Sequence, residues 1–194
     1  MALHDEDSRL ISRIRQGDLL ALGVLYERHK TQMYRVALAI TRDPNAAEDI
    51  LQEGFLRLYG SVDRFDETRP LAPWLYRVTV NLSYNWVTRR GRWLVPMEGA
   101  MERLRAGPKS SPETVVEQNE LQRIVREALN ALGFEHRVVL VLFYLGEFSL
   151  KEIAHILNLP EGTVKSRLHY GRKRLRSRLE RDRRVLGGVA YEFS

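Results

Sequence analysis

The sequence predicts an all-α chain: two small helical domains joined by a flexible linker, the second of them built around a helix-turn-helix. Three observations predict it. Apolar residues recur at helical spacing along almost the whole chain, and no convincing period-two alternation marks a strand. Between Gly91 and Pro112 the pattern lapses into Pro96, Gly99, Gly107-Pro108 and Ser110-Ser111-Pro112, which reads as a linker holding at most a short helix. Near the C-terminus, Asn158-Leu159-Pro160 separates two short amphipathic stretches. A chain of 194 residues, 44% hydrophobic and 29% charged, has enough apolar material for two small cores. The expected organisation is a domain over 1–90, a linker over 91–112, a domain over 113–184 and a tail over 185–194.

In order along the chain, Leu10, Ile11 and Ile14 suggest a short first helix that ends near Gly17, with Asp18 capping the next. Leu19 to Ile40 is apolar at helical spacing, and Asp43-Pro44 punctuates it before a helix from about Ala46 to Tyr59. Asp63 to Pro73 reads as a loop, and Trp74 to Arg90 as an amphipathic helix. Beyond the linker, helices are expected over Glu113–Leu132, Glu135–Leu145, Ser149–Leu157 and from Glu161 onward.

The last two helices carry the clearest geometry. Leu150, Ile153, Ala154 and Leu157 form one stripe, with Ser149 and Glu152 spaced as a capping box. Pro160 suits a first turn, and Gly162 leaves room for a close helix approach. On the second helix Val164, Leu168, Gly171, Leu175 and Leu179 fall on one narrow arc. Ser166, Tyr170, Lys173 and Ser177 face away, flanked by Lys165, Arg167, His169 and Arg172. Such a second helix could enter a major groove; the plain alternative is an ordinary helical hairpin.

Charge favours the groove. From Thr163 to Arg184 ten Lys or Arg stand against Glu180 and Asp182, a net of +8 where the whole chain carries +6. The remainder is therefore slightly acidic, and the cationic segment has the footprint of a nucleic-acid contact. Charge alone would equally suit a solvated, Arg-rich helix.

Several classes are excluded. Without cysteine there is no disulfide, thiolate metal site or thiol nucleophile. The five histidines show no paired metal spacing. There is no phosphate-binding glycine loop and no nucleophile elbow, so neither a cofactor nor catalysis is expected. The charged N-terminus and the short longest apolar run, Val138 to Leu145, predict a soluble cytoplasmic protein that does not itself insert in a membrane.

Two segments now carry a resemblance. Leu-Pro-Glu-Gly-Thr-Val-Lys-Ser-Arg-Leu over 159–168, preceded by Leu-Lys-Glu-Ile-Ala-His-Ile-Leu over 150–157, resembles the promoter-binding region of bacterial RNA polymerase sigma factors of the extracytoplasmic function (ECF) group. Ala47 to Leu56 resembles that family's polymerase-docking helix, and Trp74 to Val78 with Asn81 its promoter-melting helix. The likeness covers roughly residues 8 to 90 and 113 to 180.

The resemblance implies a promoter-specificity subunit that docks on core RNA polymerase, through the coiled coil of its largest subunit and through its flap, and that helps melt DNA. In the docking helix Ala47, Leu51, Gly54, Phe55 and Leu58 share the core side, leaving Glu48, Asp49, Gln52 and Glu53 outward as the polymerase-binding patch; the plain alternative is a solvated acidic helix face. In the melting helix Leu75, Val78, Leu82 and Trp86 cluster on one face, beside a stripe of Arg77, Asn81, Tyr84 and Thr88 with Asn85 at its edge. Amides read base edges, aromatic rings stack on unpaired bases, and Arg77, Arg89 and Arg90 suit phosphates. By resemblance the loop Asp63-Arg64-Phe65-Asp66 with Asn81 and Asn85 reads the minus-ten element, extruding a base into a pocket. Many relatives carry Asp where this chain has Asn85, and an aromatic where it has Leu71. Trp74 and Trp86 read as core.

For the minus-thirty-five element the matching positions are Lys165, Ser166, Arg167, His169 and Tyr170. Arg172, Lys173, Arg174 and Arg176 fall to phosphates or to the polymerase. The resemblance further implies sequestration by an anti-sigma factor, often membrane-bound. Two rivals stand beside it: a dimeric helix-turn-helix repressor or activator on a palindrome, and a helical adaptor with a solvated basic tail.

Overall fold

The computed structural model describes residues 2–90 and 123–181. The linker expected over 91–112, the start of the helix expected from Glu113 and the tail over 185–194 lie outside those residues. Four helices make the first half: α1 (Ala2–Arg15), α2 (Leu19–Thr41), α3 (Pro44–Ser61) and α4 (Leu71–Arg90). Four more make the second: α5 (123–130), α6 (Phe134–Tyr144), α7 (Leu150–Leu157) and α8 (Glu161–Arg181). The chain is all-α as expected, and among the described residues no strand forms.

Local chemistry sets the boundaries. Gly17 takes φ +90° after α1, and the Asp18 carboxylate accepts from the Leu20 and Ala21 amides to start α2. Asp43 caps α3, and Pro44 opens it two residues earlier than expected, because a first-turn proline loses no helical hydrogen bond. The same reason corrects the next boundary. Pro73 lies inside the first turn of α4, so that helix starts at Leu71 rather than Trp74, and a short 3-10 turn over Val62–Arg64 occupies part of the expected loop. Ser149 and Glu152 form the predicted capping box, and Asn158 ends α7 in the left-handed region.

In the first half α2 packs on α1, α3 and α4, and α3 packs on α4. Ile11, Leu25, Met33, Ile40, Leu58, Leu71 and Leu75 are fully buried there. Helix α1 is held by a polar clasp: Arg28 donates to Glu6 and to the buried Asp7, and His29 Nε2 lies 2.9 Å from Asp7 Oδ2. Burial works against the Asp7 charge, but the His29 and Arg28 interactions outweigh it and hold its carboxyl below the ordinary range.

The core side of α4 is rotated from expectation. Leu75 is buried, but Val78, Leu82 and Trp86 are only half-buried, and Leu71, Tyr76, Thr79, Val80 and Ser83 take the interior. Thr79 and Ser83 can be buried because their hydroxyls donate to the carbonyls of Leu75 and Thr79, four residues back. In the second half α8 packs on α6 and α7. All five residues predicted for its inner side are buried. Gly171, not Gly162, is the close-approach glycine: a Cβ there would stand 3.2 Å from Leu140, whereas one on Gly162 meets nothing.

The halves touch. Helix α7 packs on α4 and α6 on α2, and one contiguous set of buried residues runs through both halves.

Candidate nucleic-acid and polymerase interfaces

Helix α8 separates its two sides cleanly. With Val164, Leu168, Leu175 and Leu179 inward, Lys165, Ser166, His169, Tyr170 and Lys173 are exposed together; Tyr170 is 55% exposed, and the His169 ring meets it edge-on at 5.3 Å. A helix with a packed back and a donor-rich, cationic front fits a major groove. Two expected contact residues are engaged elsewhere. Arg167 pairs with Glu135 at 2.8 Å, and Arg172 lies over the rings of Phe143 and Tyr144 at 5.0 and 5.4 Å, with its Nε buried and without a hydrogen-bond partner. Arg172 therefore turns toward α6, because its position flanks Gly171 on the buried side. Arg174 and Arg176 are exposed, the latter bonded to Glu180 at 2.8 Å.

The expected polymerase-binding residues share one face of α3. Glu48, Asp49 and Gln52 are exposed, and Glu53 is half-buried and bonded to Arg57 at 2.7 Å. Beside Gln52 runs an apolar groove of about 310 Å³, lined by Leu19, Leu22, Gln52, Phe55, Leu56 and Tyr59. Leu56 is 66% exposed, and the neighbouring Leu20 80%. Sequence reasoning read only the charged half of this surface. The available signal was a surplus of apolar residues at the start of α2, more than one buried stripe can use.

Of the residues expected at the minus-ten element, Asn81 and Asn85 are exposed on α4, and so is Arg89; Arg90 closes the helix. Arg64 is exposed in the 3-10 turn. Phe65, half-buried, meets Trp74 edge-on at 6.0 Å, so the loop touches the head of α4. Asn81 and Asn85 lie roughly 10 and 16 Å further along the axis, at 1.5 Å per residue. Arg77 and Tyr84 both make contacts within the chain, Arg77 half-buried and Tyr84 still 51% exposed. Arg77 Nε donates to the Ile156 carbonyl at 3.2 Å and a terminal nitrogen to that of His155, while Tyr84 packs edge-on to Phe134 at 5.2 Å. Among the described residues no group of side chains is arranged to hold a metal ion, and no helix is long and apolar enough to cross a membrane.

The comparisons with known proteins follow the same division. Residues 25–92 match the Sigma-70 region 2 family and residues 122–175 the Sigma-70, region 4 family. The ECF RNA polymerase sigma factor SigW of Bacillus subtilis is 34% identical over 87% of this chain and 94% of its own length. The ECF RNA polymerase sigma-E factor of Haemophilus influenzae is 30% identical over 93% and 98%. Two solved structures are similar. CnrH, in complex with the cytosolic domain of CnrY, matches with a TM-score of 0.69 and 25% identity over 91% of this chain and 99% of that one. The sigma factor RpoE, in complex with the anti-sigma factor NepR from Bartonella quintana, matches with a TM-score of 0.61 and 25% identity over 87% and 98%. Regions 2 and 4 in one chain, in this order, with relatives matched over nearly their full length, make the protein a member of the ECF sigma factors of RNA polymerase.

Proposed function

We propose that three surfaces divide the work of this sigma factor between them. As a sigma factor the chain binds core RNA polymerase and directs initiation at specific promoters, with strand opening at the minus-ten element. The observation that carries the finer assignment is the front of α8, where Lys165, Ser166, His169, Tyr170 and Lys173 stand exposed over a fully packed back. These residues read the minus-thirty-five element. Asn81, Asn85, Tyr84, Arg64, Phe65, Arg77, Arg89 and Arg90 serve the minus-ten element, the amides at base edges and the arginines at phosphates. Glu48, Asp49, Gln52 and Glu53 meet the polymerase coiled coil, and the groove beside Gln52 accepts an apolar ridge of the same partner.

The domains run over 1–90 and 113–184, with 91–112 as tether. Two modest contacts on one tether gain from effective concentration. The chain performs no catalysis of its own. It works in the cytoplasm, at the nucleoid when active, and is restrained by an anti-sigma factor, a reading supported by its similarity to RpoE solved with NepR.

The test supplies core polymerase and genomic fragments with this protein alone, beside an Asp49→Ala, Gln52→Ala variant. Specific transcripts that vanish in the variant are expected. If polymerase stays silent and does not co-purify while the protein alone protects a palindrome, the assignment gives way to a dimeric repressor or activator.

A further inference from the structure

The loop that carries Arg64 and Phe65 spans residues 62–70, between α3 and α4. Its internal hydrogen bonds are local. The Phe65 amide donates to the Val62 carbonyl at 3.2 Å, and the amide and hydroxyl of Thr68 donate to the Asp66 carboxylate at 3.1 and 2.6 Å. Bonds of this kind shape the loop without fixing its place in the domain. Helix α1 fixes it. Arg15, the last residue of α1, spreads its guanidinium over the turn: Nε and one terminal nitrogen donate to the Val62 carbonyl at 3.3 and 3.0 Å, and that same nitrogen donates to the Phe65 carbonyl at 2.9 Å. Its other terminal nitrogen pairs with the Glu67 carboxylate. Ser8, seven residues earlier on the same face of α1, donates its hydroxyl to the Glu67 carbonyl at 3.0 Å. Ile11, between the two, is fully buried, and the Asp7 clasp to Arg28 and His29 holds α1 on α2. The loop is thus tied through α1 to α2, not only through Phe65 and Trp74 to α4.

We infer that Arg15 is a positioning residue for minus-ten recognition: it holds the carbonyls of Val62 and Phe65 so that Arg64 and Phe65 meet the DNA in one fixed arrangement. The inference rests on the reading that this loop serves the minus-ten element. The chemistry of the side chain carries it. A guanidinium is a rigid planar fork of donors, and bonding two carbonyls three residues apart fixes the path of the chain between them. The Val62 carbonyl already accepts from the Phe65 amide, and its second lone pair is left for Arg15. A loop held in this way before DNA arrives loses little further freedom when it binds. Arg13, two residues earlier on α1, is the contrast. Its guanidinium turns to Asp18 at 2.7 Å, the residue that caps α2. Two arginines in the same last turn therefore do different work, one holding the start of a helix and the other holding the recognition loop.

The test gives the full-length protein core polymerase and a pool of promoter fragments in which each minus-ten position is varied. Base preference at each position is read as a ratio of transcripts from one preparation, so a smaller folded fraction cancels. Phe65→Ala first marks the positions that the loop reads. At those same positions Arg15→Ala is expected to bring a preference of about fivefold or more toward parity, with the minus-thirty-five preference unchanged. The Arg15→Ala, Phe65→Ala double variant should lose no more preference than Phe65→Ala alone, because both act through one loop. Arg15→Lys separates holding from charge, and it decides the matter should Arg15→Ala not fold. An ammonium keeps the charge but not the fork, so the preference should stay flattened; full restoration would make Arg15 a phosphate contact and overturn the inference. Arg13→Ala removes an ion pair from the same helix end and should leave the preference intact. If it flattens the preference equally, the effect belongs to the stability of α1 and the inference falls. It falls too if Phe65→Ala marks no position, or if Arg15→Ala leaves the marked positions as they were while the unmodified protein discriminates. If the unmodified protein directs no promoter-specific transcript at all, it is the sigma reading that fails, and the inference fails with it.

Discussion

Residues with full-size charges in unexpected places separate structural from functional arginines in this chain. Burial, aided by Arg42, pushes the Arg137 guanidinium down to about 10. Among the described residues no counter-charge pairs with it, so Arg137→Met, which keeps the volume and removes the ion, should stabilise the protein by about 1–3 kcal/mol. A thermal melt checks this, and a lower midpoint would mean that Arg137 makes an anionic contact in solution. Lys173 is the opposite case, exposed on the front of α8 with no ion pair described for it. As a phosphate contact, Lys173→Ala should weaken promoter binding alike for all sequences and lower the slope of log K against log salt by about 1. His169→Ala, in contrast, should relax base preference with little change in slope, because a base-edge contact carries about 1–3 kcal/mol of discrimination.

Elements were legible wherever their cause was local. The capping box of α7 needs only Ser149 and Glu152, and the inner arc of α8 only a period of 3.6, so both matched. The starts of α3 and α4 were misplaced by two or three residues, because a proline near a helix start reads equally as loop and as first turn. The inner face of α4 was misjudged for a different reason. Thr79 and Ser83 look like surface residues until their back-bonds to the helix are known, and Tyr76 is buried by Phe148 from the other domain. The clasp on α1 was equally invisible, since Asp7 and His29 are 22 residues apart. It gives a pH prediction. Asp7 titrates in the fold below its ordinary 3.8, so its contribution is complete above that value and is lost as pH falls through the lowered folded value. The melting temperatures of the wild type and of Asp7→Asn should therefore differ steadily from pH 7 down to about 4 and converge below it. A gap that persists into stronger acid would remove the carboxylate from the clasp.

At the scale of the molecule, the sequence carries both contact faces but not the way the halves meet. Lys165 to Lys173 and Glu48 to Glu53 are contiguous on single helices, and periodicity alone orients them. The seam joins Arg77 to Ile156 and Tyr84 to Phe134 across the linker, a pairing that no local pattern encodes. Its consequence is cooperative. Phe148 is buried together with Tyr76, so its side chain belongs to both halves of the core. Truncation to Ala removes contacts on both sides of the seam and should cost about 3 kcal/mol. If the halves unfold as one unit, amide exchange should accelerate in α4 as well as in α7, though the substitution lies in neither. Independent domains would confine the faster exchange to α6 and α7. Mass-resolved exchange of the Phe148→Ala chain distinguishes the two. A shared response would mean that any ligand stabilising the C-terminal domain in its docked position also protects α4, whereas a confined one would make the seam a contact without thermodynamic coupling.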